Sequence, residues 1–383
     1  MKAKISMCFF CCLFRLSLRS GILVLNIFLR KTEEKEPVLM ACLCFLYFSP
    51  HAVVQRRIGC YNTAGLYDPL NTGRPETETV KDMNKKKGHI WFLVVNILLL
   101  LLVIAVTGAL IVRSDWRYGL FDRFRSRNPV KKTVLVMNVE DCRVIAVEDI
   151  LKGMAEGVRT DQSLLLVNDE HRLDNAYQPA VVEFRQTDLY MDPAVVQPLE
   201  ELLAANTQVT GEKLLLVSAY RTAEEQAQVL KEETGVAAQV GASEHQTGLG
   251  LDICVSGKAQ RRFIDSETGV WVDRNAWQYG FIIRYPLLKK RVTGQGYEPW
   301  HIRYVGKPHA ELIYRNRLTL EEYLDSLEVD GFFSYDGYGF SLQQPDENGA
   351  LRIPAAWRKV VVSPDNTGQY MITGLLPHSK VNL

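Results

Sequence analysis

The sequence predicts an α+β domain behind a single membrane-spanning helix, and three observations carry that reading. After residue 132, strand-like and helical runs mix without a strict βαβ repeat, which argues against a doubly wound sheet. From Ile90 to Val112 there is no charged residue, and at ~1.5 Å per residue such a run crosses a bilayer core of about 30 Å. Beyond Asp330 the texture becomes aromatic, glycine-rich and short-stranded, the mark of a small β appendage with tight turns.

Composition narrows the function classes. With 45 Lys+Arg against 44 Asp+Glu in 383 residues the formal charge is +1, so no global field draws the chain to nucleic acid. Of eight cysteines, six (Cys8, Cys11, Cys12, Cys42, Cys44 and Cys60) precede residue 61. Only Cys142 and Cys254 fall in the globular part, which excludes a disulfide-rich scaffold, and spacing alone does not support a bridge between them. Cys11-Cys12 and Cys42-x-Cys44 lack histidines at zinc-finger spacing and read as membrane-segment cysteines.

Along the chain, residues 1–82 form an extension of uncertain role. Met7 to Leu29 is interrupted by Arg15 and Arg19, and Val38 to Phe48 is short for a span. Met83-Asn84-Lys85-Lys86-Lys87 has the look of a natural start for a membrane-anchored protein. The run at 90–112 exceeds the ~7–15-residue core of a cleaved signal peptide. Lys85 to Lys87 favour a cytoplasmic N-terminal side, opposed by Arg113, Arg117, Arg123, Arg125 and Arg127 after the helix. Residues 113–132 read as a basic linker, 133–328 as the main globular domain and 329–383 as the appendage.

Within the domain, Asp192-Pro193 caps a helix expected to reach Ala205, with proline where its missing N–H costs nothing. Lys213 to Val217 reads as a buried strand by its Leu/Val run, and Thr222-Ala223-Glu224-Glu225 as a capping box opening a helix that ends near Gly235. Phe281 to Tyr285 and Trp300 to Tyr304 read as strands, and Thr319-Leu320-Glu321-Glu322 opens a helix ending near Leu327.

Two clusters carry chemistry. Ser243-Glu244-His245 with Asp252, and Glu298-Pro299-Trp300-His301, supply two imidazoles, one carboxylate and a further glutamate. Three N/O ligands leave the fourth position of a tetrahedral Zn2+ open for water, and a carboxylate beside it can take the water's proton. His245 and Asp252 are an odd number of residues apart, so one continuous strand would point them to opposite faces. Gly248 and Gly250 between them permit a turn and a close backbone approach. Pro299 opposes a regular ladder and puts Glu298 in the loop entering the strand of His301. No His-Glu-x-x-His helix is present, so these ligands must come from separate loops and strands. His309 reads as structural, and the tyrosines at 335–338 read as sheet packing rather than a carbohydrate platform.

Ser218-Ala219-Tyr220-Arg221 with Gln226, Ser243-x-His245-x6-Asp252, and Glu298-Pro299-Trp300-His301-Ile302-Arg303-Tyr304-Val305-Gly306 resemble the motif set of VanY-type D-alanyl-D-alanine carboxypeptidases. Leu164 to Asn168 and Lys307 to Leu324 extend the resemblance over about 133–328. It implies a zinc domain of the Hedgehog/D,D-peptidase-like α+β fold. It implies His245, Asp252 and His301 as zinc ligands, Glu298 as the base and Arg221 as the group polarising the scissile carbonyl. Gln226, Ser243, Ser218, Tyr220 and Trp300 fall where substrate contacts are expected. The implied substrate is a peptidoglycan stem peptide ending in D-Ala-D-Ala, trimmed outside the membrane of a bacterium by an enzyme held in lipid through 90–112. In that family such enzymes accompany glycopeptide resistance; ordinary wall maturation is equally compatible. Rival readings are a D-Ala-D-Ala dipeptidase, a wall endopeptidase of the same fold, and a non-catalytic zinc-stabilised module. The chain contains no Ser-x-x-Lys, so the penicillin-sensitive serine route has no nucleophile of its usual kind.

Overall fold

Two sheets, one antiparallel and one mixed, each strung from distant segments, position the site, and helices and 3-10 turns fill the space around them. The computed structural model describes residues 16–19, 22–25, 77–232 and 237–380. The chain divides between Arg74 and Pro75. Of the first part, the described residues are two short antiparallel strands, Leu16–Arg19 and Ile22–Leu25. The rest of the extension up to residue 76 lies outside the described residues.

A helix runs from Thr77 to Val112, and its stretch Ile90–Val112 is long and apolar enough to cross a membrane, with none of it buried. The expected basic linker is instead structured. Ser114–Phe124 forms a second helix that packs on the catalytic domain, Ser114 Oγ donating to Asp265 Oδ2 at 2.8 Å and Tyr118 Oη to Asp273 Oδ2 at 2.9 Å. Arg127 and Arg317 both pair with Asp122 from that helix. Basic residues counted as linker charge therefore include arginines that pair with buried aspartates.

The first sheet has four strands in the order Phe281–Ile283, His301–Tyr304, Gly250–Cys254, Leu215–Ser218, all antiparallel. Leu249, Leu251, Ile253, Phe281 and Ile302 meet Val195, Leu199 and Leu202 of the Pro193–Thr210 helix in its core. Asp192 caps that helix by accepting from Ala194 N at 2.8 Å, as the sequence predicts. It runs past Ala205 to Thr210, where Gly211 takes the left-handed conformation that closes it. The capping boxes of Thr222 and Thr319 both form. The helix after Thr222 spans Ala223–Glu232, and its expected end near Gly235 lies outside the described residues. One reading is corrected: the Leu/Val run before Val217 is not a buried strand. It is the edge of the sheet, with Leu215 and Leu216 half-buried and Val217 56% exposed, because among the described residues no further strand pairs on that side.

The second sheet orders Thr133–Leu135, Phe332–Tyr335, Tyr338–Gln343, Tyr370–Leu375, Arg358–Pro364 and Val158–Thr160, with only the last pair parallel. Ala350–Pro354 pairs separately with Cys142–Ala146. Residues 133–160, which the sequence assigned to the catalytic domain, thus pair with the C-terminal strands. One core cluster unites Leu164, Ile282, Val305 and Ile313 with Phe333, Phe340 and Met371. The C-terminal strands therefore share core with the catalytic domain across the expected boundary at 328. Asp336-Gly337 makes the two-residue turn between paired Tyr335 and Tyr338, both turn residues at positive φ as the right-handed strand twist requires. Tyr338 is buried, in line with sheet packing. His309 is buried too, its Nδ1 2.6 Å from Tyr323 Oη and its Nε2 2.8 Å from Thr373 Oγ1, while burial pushes its pKa down to about 3. Cys142 and Cys254 are free thiols.

Candidate active site

Antiparallel register sets Asp252 directly across from His301 on one side and Ser218 on the other, so three strands deliver one polar row. His245 comes from outside the sheet, on the 3-10 turn Glu244–Thr247, and the chain then reverses through Gly248 at φ +72°. A Cβ on Gly248 would stand 2.8 Å from Asp192 N. One on Gly250 would stand 3.0 Å from both Glu244 Cβ and His301 Nε2. The turn and the close approach read from these two glycines are therefore both used.

His301 Nδ1 lies 2.9 Å from Asp252 Oδ1 and His245 Nε2 lies 3.3 Å from Asp252 Oδ2. The ligand atoms of the three residues all fall within 4.8 Å of one another. Donors on a tetrahedral zinc with bonds of ~2.0–2.1 Å stand about 3.3 Å apart, so these three side chains are gathered closely enough to share one such ion. The outer nitrogens agree. His245 Nδ1 is 2.7 Å from the Ala219 carbonyl, which can only accept, so Nδ1 carries the proton and Nε2 is left as the ligand atom. His301 Nε2 faces Glu244 Oε2 at 3.5 Å, leaving Nδ1 toward Asp252. Burial pushes the His245 pKa down despite Asp252 beside it. Burial also opposes charge on His301, yet Asp252 and Glu244 outweigh it and push its pKa up to about 9. Burial disfavours the Asp252 anion as well, but the two imidazoles hold its carboxyl well below the usual range.

Behind His301 lies a buried ionic cluster to which the sequence reading gave no role. Glu244 Oε1 accepts from Arg284 Nε at 2.5 Å and from Arg303 Nη1 at 2.6 Å, and Arg284 forks onto both oxygens of Glu321 at 2.9 and 2.6 Å. Arg303 also donates to the carbonyls of Ser163 and Leu165. Both arginines are fully buried. Burial penalises the Glu244 anion, but Arg284 and Arg303 hold its carboxyl far below the ordinary value. The available signal was Arg303, two residues after His301 and therefore on the same face of that strand. Nothing local marks Arg284 as its companion.

Arg221 is held by two of the expected substrate-contact residues. Its Nη1 donates to Gln226 Oε1 at 2.9 Å, its Nε and Nη2 reach Ser218 Oγ at 3.3 and 3.2 Å, and Nη2 is 3.7 Å from Asp252 Oδ2. Gln226 is buried and spends its amide N–H on the Ala238 carbonyl, so both ends of its amide are engaged in orienting Arg221. Arg221, Gln226, Ser243, His245, Asp252, Glu298, Trp300 and His301 line one cleft of about 1090 Å³. Ser218 and Tyr220 do not line it; Tyr220 donates its N–H to the Tyr190 carbonyl. Glu298 sits in the loop before the His301–Tyr304 strand, as Pro299 predicts, with its N–H bonded to the Tyr285 carbonyl and its own carbonyl accepting from His301 N.

Glu244 supplies a prediction. Three donors surround its carboxylate, and an amide has only one accepting oxygen. Glu244→Gln should weaken zinc binding about 10–100-fold through the disturbed His301 ring and lower the melting temperature by exposing a buried charge imbalance. Competition titration with a zinc chelator reads the first effect; an unchanged affinity would remove Glu244 from the support of the site.

Two imidazoles and a carboxylate converging in an open cleft, with a further glutamate and an arginine on its wall, define a mononuclear metallohydrolase-type centre. A family model described as VanY, D-alanyl-D-alanine carboxypeptidase, matches residues 188–307, a stretch that holds every one of the cleft residues just named. The D-alanyl-D-alanine carboxypeptidase of Enterococcus faecium is 35% identical over 256 residues, covering 65% of this chain and 80% of that protein. Among solved structures, the vancomycin-resistance D,D-dipeptidase VanXYg in complex with a D-Ala-D-Ala phosphinate analogue has a TM-score of 0.51 at 25% identity, covering 61% of this chain and 98% of that one. A Zn(II) complex of a VanY D,D-pentapeptidase from a VanB-type resistance cassette is 34% identical, with a TM-score of 0.39, covering 43% of this chain and 99% of that one. The chain belongs to the family of VanY-type D-alanyl-D-alanine carboxypeptidases.

Proposed function

We propose that this protein is a membrane-anchored zinc D,D-carboxypeptidase that removes the terminal D-Ala from peptidoglycan stem peptides ending in D-Ala-D-Ala. The observation that carries the reading is the convergence of His245, Asp252 and His301 in one cleft whose wall holds Glu298 and Arg221. His245 Nε2, Asp252 and His301 Nδ1 would hold Zn2+, which supplies Lewis acidity toward water and the scissile carbonyl. Glu298 takes a proton from the attacking water and returns it to the leaving amine. Arg221, fixed by Ser218 and Gln226, stabilises the negative charge growing on the carbonyl oxygen. Ser243 and Trp300, on the cleft wall, are left to contact the stem.

Two measurements test this. Incubating the protein with a pentapeptide stem should release free D-Ala, chelator should abolish the release, and penicillin should leave it intact because no serine nucleophile is used. Hydrolysis of free D-Ala-D-Ala alone would favour the dipeptidase, and cleavage inside the stem the endopeptidase. Protease added to intact spheroplasts should digest the catalytic domain if it lies outside the membrane, the orientation that Lys85 to Lys87 favour and the arginines after the helix oppose. Protection until lysis would place the site in the cytoplasm.

A further inference from the structure

The helix Ser114–Phe124 is inside out with respect to the domain on which it packs. Its inner face carries Asp115, Tyr118, Gly119 and Asp122, spaced for one side of a helix, and Asp115 and Asp122 are buried at 1% and 7% exposure. Its outer face carries Trp116, Leu120, Phe121 and Phe124, exposed at 48%, 37%, 56% and 81%, with Arg117 and Arg123 among them. A helix on a water-soluble surface has the opposite arrangement. Only Arg113 separates this helix from the end of the apolar span at Val112, so the bare face starts at the edge of the bilayer.

We propose that this outer face lies on an anionic bilayer surface, its aromatic and leucine side chains at the acyl boundary and Arg117, Arg123 and Arg125 among the headgroups. The inference rests on the reading of Ile90–Val112 as a membrane anchor. Aromatic residues interleaved with arginines on one face match what binds an interface rich in acidic lipid, and the face is continuous with the span. It also bears on the peptidase. Arg113 and Trp116 line the catalytic cleft, so a domain seated this way opens its cleft beside the membrane, where a stem carried on a lipid is concentrated and a free peptide is not.

The test uses the full chain in vesicles of phosphatidylethanolamine and phosphatidylglycerol, with the photocrosslinker benzoylphenylalanine in place of Phe121, of Phe124 or, within the span, of Ile104. Lipid adducts from all three positions are expected. Adducts from position 104 but none from 121 or 124, or crosslinks there to a second copy, would overturn the proposal and leave the anchor standing. No adduct at any position would remove the anchor and the proposal together. None of these outcomes depends on catalytic activity. A second arm compares the wild type with the double variant Leu120→Glu, Phe124→Glu: turnover of lipid-linked stem should fall about tenfold as its local concentration is lost, while turnover of soluble stem peptide stays the same. Equal rates on both substrates in both proteins would contradict the proposal.

Discussion

Glu298→Gln should keep its zinc and its fold while losing about 10²–10⁴-fold in turnover, the usual worth of a positioned general base. The amide matches the carboxylate in shape, and the backbone bonds that hold Glu298, to the Tyr285 carbonyl and from His301 N, do not involve its side chain. What the amide lacks is a basic oxygen for the water's proton. At about 1.4 kcal/mol per tenfold, the loss corresponds to roughly 3–6 kcal/mol of barrier. Steady-state kinetics on a pentapeptide stem with zinc content measured on the same sample would decide it. A variant within tenfold of wild type would move the base elsewhere.

His301→Ala and His245→Ala should each lose both metal and activity. Two remaining protein ligands hold zinc poorly, and each imidazole here is fixed from behind, His245 by the Ala219 carbonyl and His301 beside Glu244. The two variants should differ in stability. Both imidazoles border the cleft, but His301 also stands 3.5 Å from the buried Glu244 carboxylate, so its removal opens space beside that charge as well and should cost more stability. Metal analysis and thermal melting in excess chelator separate these effects. Full zinc occupancy in both variants would sink the ligand assignment.

Much of the site was legible in the sequence because its signals are local. The odd spacing of His245 and Asp252 with Gly248 and Gly250 between them required a reversal rather than a strand, and the 3-10 turn ending at Gly248 is that reversal. Pro299 kept Glu298 out of the ladder. Asp192, Thr222 and Thr319 mark helix starts because a cap is satisfied within three residues of itself. The Leu/Val run before Ser218 misled, since a short apolar run does not say whether one or both sides of the strand are covered.

Residue types and short-range spacing pointed to the candidate clusters around His245 and His301, the apolar span and the helix caps, while the resemblance supplied the expected roles of His245, Asp252, His301 and Glu298. The clusters, the span and the caps each depend on chemistry within a few positions, which periodicity and parity can read. Tertiary structure alone decided that strands from 133–160 pair with the C-terminal strands and that Glu244, Arg284, Arg303 and Glu321 close into one buried ionic cluster. It also decided that the stretch read as a basic linker is a docked helix with its aspartates inward and its aromatics outward. These pairings join residues tens to hundreds of positions apart. Their free energy comes from burying charge only when the partner is already in place, a condition that no window of sequence contains.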